Sequence, residues 1–278
     1  MRATILIPAH NEASVIGRTL MHLTCATRAK EFCVTVIANA CTDATASCAR
    51  SVMPAAKVLE TEVAGKCNAL NLGYMLADKT KPIICLDADL EITAESLVAL
   101  VLAMEDDQKK AACGHMDVSA AEASPVVRAY YKGWRTNPYF DRGKFGGVFA
   151  MAPEMAAQLF PLPLVTADDE YVRRHVGEDR IAYVPNSRFV ARAPKSLSSL
   201  IEVRRRSLRG AREVSKMGLQ SPERGSFVTV IGRMLRKPKC IISIGVYAGV
   251  NLWARLSLNS GSSNVGHWER DMTSRIGG

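Results

Sequence analysis

Short apolar runs alternate with stretches whose apolar positions recur at helical spacing as far as residue 120. Ala3 to Pro8 predicts a strand, and Glu12 to Thr27, with Val15, Ile16, Leu20 and Leu23 near helical register, predicts a helix. Phe32 to Ala38 reads as the next strand, followed by a turn over Asn39 to Thr42 and a small-residue helix to Val52. Lys57 to Glu60 is a third strand, Cys67 to Leu76 a helix, and Ile83 to Leu86 a fourth strand. Ala94 to Met104 follows as a helix, with Leu97, Leu100 and Val101 on one side, and Ala111 to Met116 as a fifth strand. Strands separated by helices imply an α/β fold: a Rossmann-like, mainly parallel sheet with flanking helices and right-handed crossovers.

The regularity lapses beyond residue 120. Gly133 to Gly147, with Trp134, Pro138, Tyr139 and Phe140, reads as a long binding loop. Met151 to Phe160 and Glu170 to Val176 are expected helices, Arg180 to Val184 a short strand, and Leu197 to Met217 a basic helix. From Cys240 to Trp253 the chain is uncharged and mostly apolar, flanked by Lys237, Lys239 and Arg255. That stretch is too short to span a bilayer as a helix, and fits either a buried helix or one lying in a membrane interface.

The 278 residues, 48% hydrophobic and 23% charged, suit a globular chain and are too polar for a polytopic membrane protein. One α/β domain over residues 1–195 with a basic helical C-terminal region over 196–278 is the expected organisation. Charge sharpens that division. Residues 188–278 carry 17 Lys and Arg against 5 Asp and Glu, so the net charge of +9 is a C-terminal property. A nucleic-acid face, a diphosphate-binding face and a membrane-surface face all fit such a balance, but no helix-turn-helix, RNP-type or zinc-finger pattern accompanies it, and no nucleic-acid partner is expected. The eight cysteines include no Cys-x-x-Cys pair, and Met1-Arg2-Ala3-Thr4 leads straight into a strand. Reduced thiols and a cytoplasmic location, peripheral on the inner face of the membrane, are the expectation.

Candidate chemistry centres on Ile83-Ile84-Cys85-Leu86-Asp87-Ala88-Asp89, an apolar run ending on two carboxylates. A strand apolar on both faces belongs inside a covered parallel sheet, whose ligands bind beyond the carboxyl ends of its strands. Two carboxylates there suit a hard divalent cation that shares its remaining sites with phosphate oxygens and water. By itself the tripeptide also fits a turn capping the helix near Thr93. Three further segments fall at strand ends on the same edge: Pro8-Ala9-His10-Asn11-Glu12, Asn39-Ala40-Cys41-Thr42-Asp43-Ala44-Thr45, and Gly65-Lys66-Cys67-Asn68-Ala69-Leu70-Asn71. Each could be cap chemistry; together they gather carboxylates, a lysine and amides around one mouth.

In this order those motifs resemble the family 2 glycosyltransferases of GT-A fold, over roughly residues 3 to 215. Gly146-Gly147 followed by Ala150 is similar to the family's acceptor-site segment, and Asp168-Asp169-Glu170 to the acidic run that includes its catalytic base. Arg206-Ser207-x-x-Gly210 resembles half of the Gln-x-x-Arg-Trp motif of processive synthases, but Val203 and Ser207 stand where Gln and Trp would. The resemblance is therefore to single-addition transferases of exopolysaccharide or glycolipid assembly.

The resemblance implies a metal-dependent, inverting transfer of a sugar from a nucleotide-sugar, with UDP favoured, to a hydroxyl of a glycan or lipid-linked acceptor. It places the donor at Pro8, Ala9, Asn11, Glu12, Asn39, Asp43, Lys66, Asp87, Ala88, Asp89 and Arg206. Mn²⁺ or Mg²⁺ would sit on Asp89 and Asp87, the acceptor at Gly146, Gly147 and Trp134, and the general base would be Asp169, with Asp168 as the fallback. Arg204, Arg205 and Arg209 join Arg206 as cations suited to the product diphosphate. A nucleotide-sugar-binding partner subunit without turnover is the alternative. A sugar-phosphate nucleotidyltransferase would want a Gly-rich, Arg-containing loop after the first strand, which Pro8-Ala9-His10-Asn11-Glu12 is not.

Overall fold

The computed structural model describes residues 1–24, 28–137, 143–219, 232 and 240–260. Eight strands form one sheet: β1 (Ala3–Ala9), β2 (Phe32–Asn39), β3 (Lys57–Thr61), β4 (Ile83–Leu86), β5 (Glu91–Ile92), β6 (Ala111–Ser119), β7 (Val148–Met151) and β8 (Ile181–Arg192). Their order is β3-β2-β1-β4-β7-β6-β8-β5. β3, β2, β1 and β4 run parallel, β6 pairs parallel with β8, and β7 and β5 are antiparallel to their neighbours. The chain steps outward from β1 through β2 to β3 and then returns to place β4 on the other side of β1. That reversal opens a crevice at the carboxyl ends of β1 and β4, where sheets of this type bind ligands.

Side-chain alternation between two buried faces explains why the central strands are apolar at most positions. Ile5 and Ile7 of β1 and Ile84 and Leu86 of β4 face one core, packed on α1 (Ile16–Thr24), α2 (Thr45–Val52) and α4 (Ala94–Leu102). Leu6, Ile83 and Cys85 face the other, under α3 (Lys66–Met75), α6 (Pro153–Leu159) and α7 (Asp168–Val176). Each such Leu or Ile contributes roughly 1.5–3 kcal/mol by leaving water. Thr93 caps α4 by accepting from the Ser96 amide at 3.3 Å.

A third core joins α5 (Pro125–Trp134), α8 (Leu197–Lys216) and α9 (Ile241–Leu256) through Val127, Tyr130, Leu200 and Val250. Gly133 lets α5 and α9 touch: a Cβ there would stand 2.2 Å from the Ser243 carbonyl oxygen. The expected loop from Gly133 is thus corrected, because its first two residues close a helix started by Pro125 at its first turn. Pro138, Tyr139 and Phe140 of that expectation, with Lys237 and Lys239, lie outside the described residues. Two more expectations shift. The helix expected from Met151 begins at Pro153, after the buried strand β7, and the helix expected from Glu12 begins at Ile16, because Asn11 takes a positive φ and the Glu12 carbonyl accepts from Val15 and Ile16 in a turn. β8 also runs to Arg192, well past Val184, pairing with β6 across a register shift at Gly114 and His115.

α9 answers both readings of its apolar stretch. Ile244, Val250 and Ala254 are buried, while Ile242 (83% exposed), Leu252, Trp253 (61%) and Leu256 form an apolar stripe facing outward. No helix among the described residues is long and apolar enough to cross a membrane. The seven described cysteines are free thiols.

Candidate active site

Each strand end delivers one part of the site. After β1 the chain turns through Asn11, whose Oδ1 accepts from the Thr42 amide at 2.6 Å, and reaches Glu12, which is buried. The Glu12 amide donates to Thr45 Oγ1 at 2.7 Å, and the Ala13 amide to Asp43 Oδ2 at 3.1 Å. Asp43 Oδ1 also accepts from the Thr45 amide at 3.0 Å. Asn39, fully buried, accepts from the Gly65 amide at 2.8 Å and donates to the Val63 carbonyl, which sets the approach to α3. Pro8 and Ala9 are the last residues of β1. The structure therefore brings together Pro8, Ala9, Asn11, Glu12, Asn39 and Asp43, and the last two lock loops to one another.

Lys66 is the first residue of α3, and its ammonium bridges two carboxylates, Asp87 Oδ1 at 2.7 Å and Asp168 Oδ1 at 2.9 Å. Burial opposes the charge on Lys66, but Asp168, Asp87 and Asp169 outweigh it and hold the pKa well above the ordinary lysine value. The Asp87 amide donates to the Gly147 carbonyl at 2.8 Å, which ties the end of β4 to the start of β7. Ala88 is buried, and its carbonyl accepts from Thr19 at 2.7 Å. Asp89 stands half-buried beyond it.

Asp168 and Asp169 open α7, where the helix dipole favours negative charge. They differ in surroundings. Asp168 is 3% exposed and burial pushes its pKa up to about 6, with Lys66 working against that and Asp169 and Asp87 adding to it. Asp169 is more open, accepts from the Glu170 amide at 2.8 Å, and approaches Lys144 Nζ at 3.9 Å. The third acid of the run is spent on structure. Glu170 pairs with Arg173 and Arg174 at 2.9 Å, and although burial opposes it, those guanidiniums hold its pKa down to about 2.

Gly146 and Gly147 pass directly over these carboxylates. At Gly146, φ is +154° and a Cβ would stand 2.4 Å from Asp169 Oδ2; at Gly147, φ is +78°. Side chains are thus excluded above Asp169. The carboxylate oxygens gathered here could hold a hard cation. Asp87 and Asp89 offer oxygen ligands alone, and Asp168 Oδ2 is buried without a hydrogen-bond partner among the described residues, so the site contains more carboxylate oxygen than Lys66 satisfies. No group of three or more His, Cys, Asp or Glu converges at ligating geometry among the described residues, which leaves most coordination positions to phosphate and water.

The arginines of α8 divide. Arg204 donates through Nε to Asn251 at 3.0 Å and Arg205 to Ser257 at 2.8 Å, which ties α8 to α9 and to the residue that follows it. Arg206 lies one turn before Gly210, where α8 presses so close to α7 that a Cβ would come 2.6 Å from that of Ala167. Trp134 lies outside the carboxylate cluster, against a cavity that also receives Lys144. Sequence patterns did not single out Lys144, or the ion pair of Lys66 with Asp168.

The family model described as Glycosyl transferase family 2 matches residues 4–160. No curated protein gives a significant match. Among solved structures, the mannosyltransferase from Pyrobaculum calidifontis in complex with GDP-Man and Mn²⁺ is 18% identical, with a TM-score of 0.57 over 95% of this chain and 77% of that one. Glucosyl-3-phosphoglycerate synthase from Mycobacterium tuberculosis, in complex with Mn²⁺, UDP and glucosyl-3-phosphoglycerate, is 16% identical, with a TM-score of 0.52 over 80% of this chain and 81% of that one. TarS of S. aureus is 14% identical at a TM-score of 0.52; 74% of this chain is covered, spanning 38% of the TarS chain. At such identities the likeness is one of fold: the GT-A arrangement of a mostly parallel, eight-stranded sheet with flanking helices.

Proposed function

Because the chain belongs to glycosyl transferase family 2, we propose that it moves a sugar from a nucleotide-sugar, a UDP-sugar foremost, to an acceptor hydroxyl with inversion, the acceptor being a lipid-linked or cell-surface glycan precursor. The observation that carries this reading is the convergence of Lys66, Asp87, Asp168 and Asp169 on the crevice between β1 and β4. The GDP-Man and UDP held with Mn²⁺ by the mannosyltransferase and the synthase support the donor class.

In this reading the base and ribose lie across Pro8, Ala9, Asn11, Glu12, Asn39 and Asp43, and Lys66 and Arg206 face the diphosphate. Asp87 and Asp89 would hold Mn²⁺ or Mg²⁺, which supplies charge stabilisation for the departing diphosphate when bound. Asp169, the more open of the paired carboxylates, takes the proton from the acceptor hydroxyl as its oxygen bonds the anomeric carbon and the bond to the diphosphate breaks. Asp168, behind Lys66, keeps that ammonium in place and becomes the base if Asp169 is not. The glycines at 146 and 147 leave room for the acceptor above Asp169.

Residues 1–195 form the donor-binding and catalytic unit in this account, and 196–278 the region that brings it to a membrane. The outward stripe of Ile242, Leu252, Trp253 and Leu256, in a helix that carries Arg255 and no acidic residue, supports docking on an anionic lipid surface. A thermal-shift screen of UDP-, GDP- and dTDP-sugars with and without Mn²⁺ tests the function. The expected result is stabilisation by one nucleotide class that grows with the metal; a folded protein that none of them stabilises would overturn the reading.

A further inference from the structure

A cavity of about 340 Å³ opens beside Lys144. Its walls come from His115 and Asp117 of β6, Trp134 and Arg135 at the end of α5, Lys144, and Tyr183 of β8. The backbone is shaped to make it. β6 shifts register between Gly114 and His115, and Gly143, at φ +84°, lies so close to the Tyr183 ring that a Cβ would stand 2.3 Å from it. The Lys144 amide donates to the Gly114 carbonyl at 3.1 Å, which fixes the point where Lys144 leaves the chain. His115 Nδ1 lies 3.1 Å from the Tyr183 hydroxyl, and Arg135 donates to the Val118 carbonyl at 2.6 Å, so both are held in place.

Among the described residues the lining has an excess of positive charge. Asp117, the one carboxylate among them, accepts from Nε and Nη2 of Arg188 at 2.7 to 3.0 Å and lies 3.7 Å from His115 Nε2. Arg135 pairs with no carboxylate among the described residues, and Lys144 has no acidic neighbour among them closer than Asp169 at 3.9 Å. A guanidinium, an ammonium and an imidazole thus face a hollow several times the size of a water molecule, with the Trp134 and Tyr183 rings supplying a wall for carbon.

We propose that this cavity binds the phosphate of a phosphorylated acceptor, held by Lys144 and Arg135 with its reacting hydroxyl directed to Asp169. The inference rests on the transferase reading, since it assigns the acceptor of that reaction a charge. Lys144 joins the two sites: it would meet the phosphate on one side and Asp169 on the other, and so fix the distance between the anchored group and the base. The phosphate could belong to a free phosphorylated polyol or to a lipid phosphate, and both present the same chemistry to the cavity.

The test is calorimetric titration of the full chain, with and without saturating UDP and Mn²⁺, by glycerol 3-phosphate, by short-chain phosphatidic acid, and by glycerol as the neutral control. The wild type is expected to bind a phosphate probe and not glycerol, with the donor site filled. Lys144→Gln and Arg135→Gln are each expected to weaken that binding by at least about tenfold, with UDP affinity unchanged. Stronger binding of the soluble or of the lipid probe identifies the source, and either supports the site. No phosphate binding beside normal UDP binding, or equal binding by both variants, overturns the proposal. Phosphate binding that depends on Lys144 in a protein that does not bind UDP would keep the anion site and sink the donor reading instead.

Discussion

Lys66 Nζ lies 2.9 Å from Asp168 Oδ1, joining the first turn of α3 to the first turn of α7. Because Asp168 is buried, removing the ammonium leaves an uncompensated charge inside the protein. Lys66→Met should destabilise the fold by about 3 kcal/mol. Lys66→Met combined with Asp168→Asn should cost less than the two single changes summed, because the second removes the charge that the first exposes. Urea denaturation of the four proteins measures the coupling; strict additivity would mean that the pair does not act as a unit.

The raised pKa of Asp168 has a definite sign in stability. A folded-state value of about 6 lies above the ordinary aspartate value of 3.8, so the folded protein binds this proton more tightly than the unfolded chain. Asp168 therefore makes stability fall as pH rises from about 4 to 6, by an amount on the order of 2–3 kcal/mol. Asp168→Asn should lack that fall. In metal-free buffer, the stability of the wild type minus that of the variant should decline across this window and level off above it.

Gly146→Ala places a methyl group 2.4 Å from Asp169 Oδ2, in a backbone conformation that alanine resists. Turnover should fall by about tenfold or more, while UDP affinity, which depends on the crevice beyond Asp87, should stay within about twofold. Steady-state kinetics alongside UDP titration separates the two effects.

Trp253 and Leu256 should govern attachment to lipid. Changing both to Ser should reduce co-sedimentation with anionic vesicles by about fivefold or more, and added salt should weaken wild-type binding by screening the basic residues. Equal recovery of the two proteins with vesicles would remove α9 as the docking element.

How much could be read in advance followed the range of each interaction. β1, β2 and β4 were legible because burial on both faces makes Ile5 to Ile7 and Ile83 to Leu86 continuously apolar. The strand-end residues followed from them, since order along the chain dictates which loops share an edge of the sheet. β7 was hidden, because Val148 to Met151 runs into the helix-forming segment after Pro153 without a break in hydrophobicity. α5 was hidden by Gly133, which looks like a loop residue and is there to admit Ser243 of α9. The partnership of Lys66 with Asp168, and the reach of Lys144 to Asp169, join residues remote in sequence and leave no local pattern. The hydrogen bonds of Arg204 and Arg205 to Asn251 and Ser257 became visible only once α9 was packed beside them.

The central claim is that sugar transfer occurs above Asp169, with the nucleotide anchored beside Asp87. Asp169→Asn keeps the size of the side chain and the hydrogen bond from the Glu170 amide while removing the base. The measurement is the rate of transfer from the nucleotide-sugar identified by the screen, taken with UDP affinity in Mn²⁺, for wild type and Asp169→Asn. The account predicts a loss of turnover of at least about a hundredfold with UDP affinity unchanged. An unchanged rate would contradict it and remove Asp169 from the proton-transfer role.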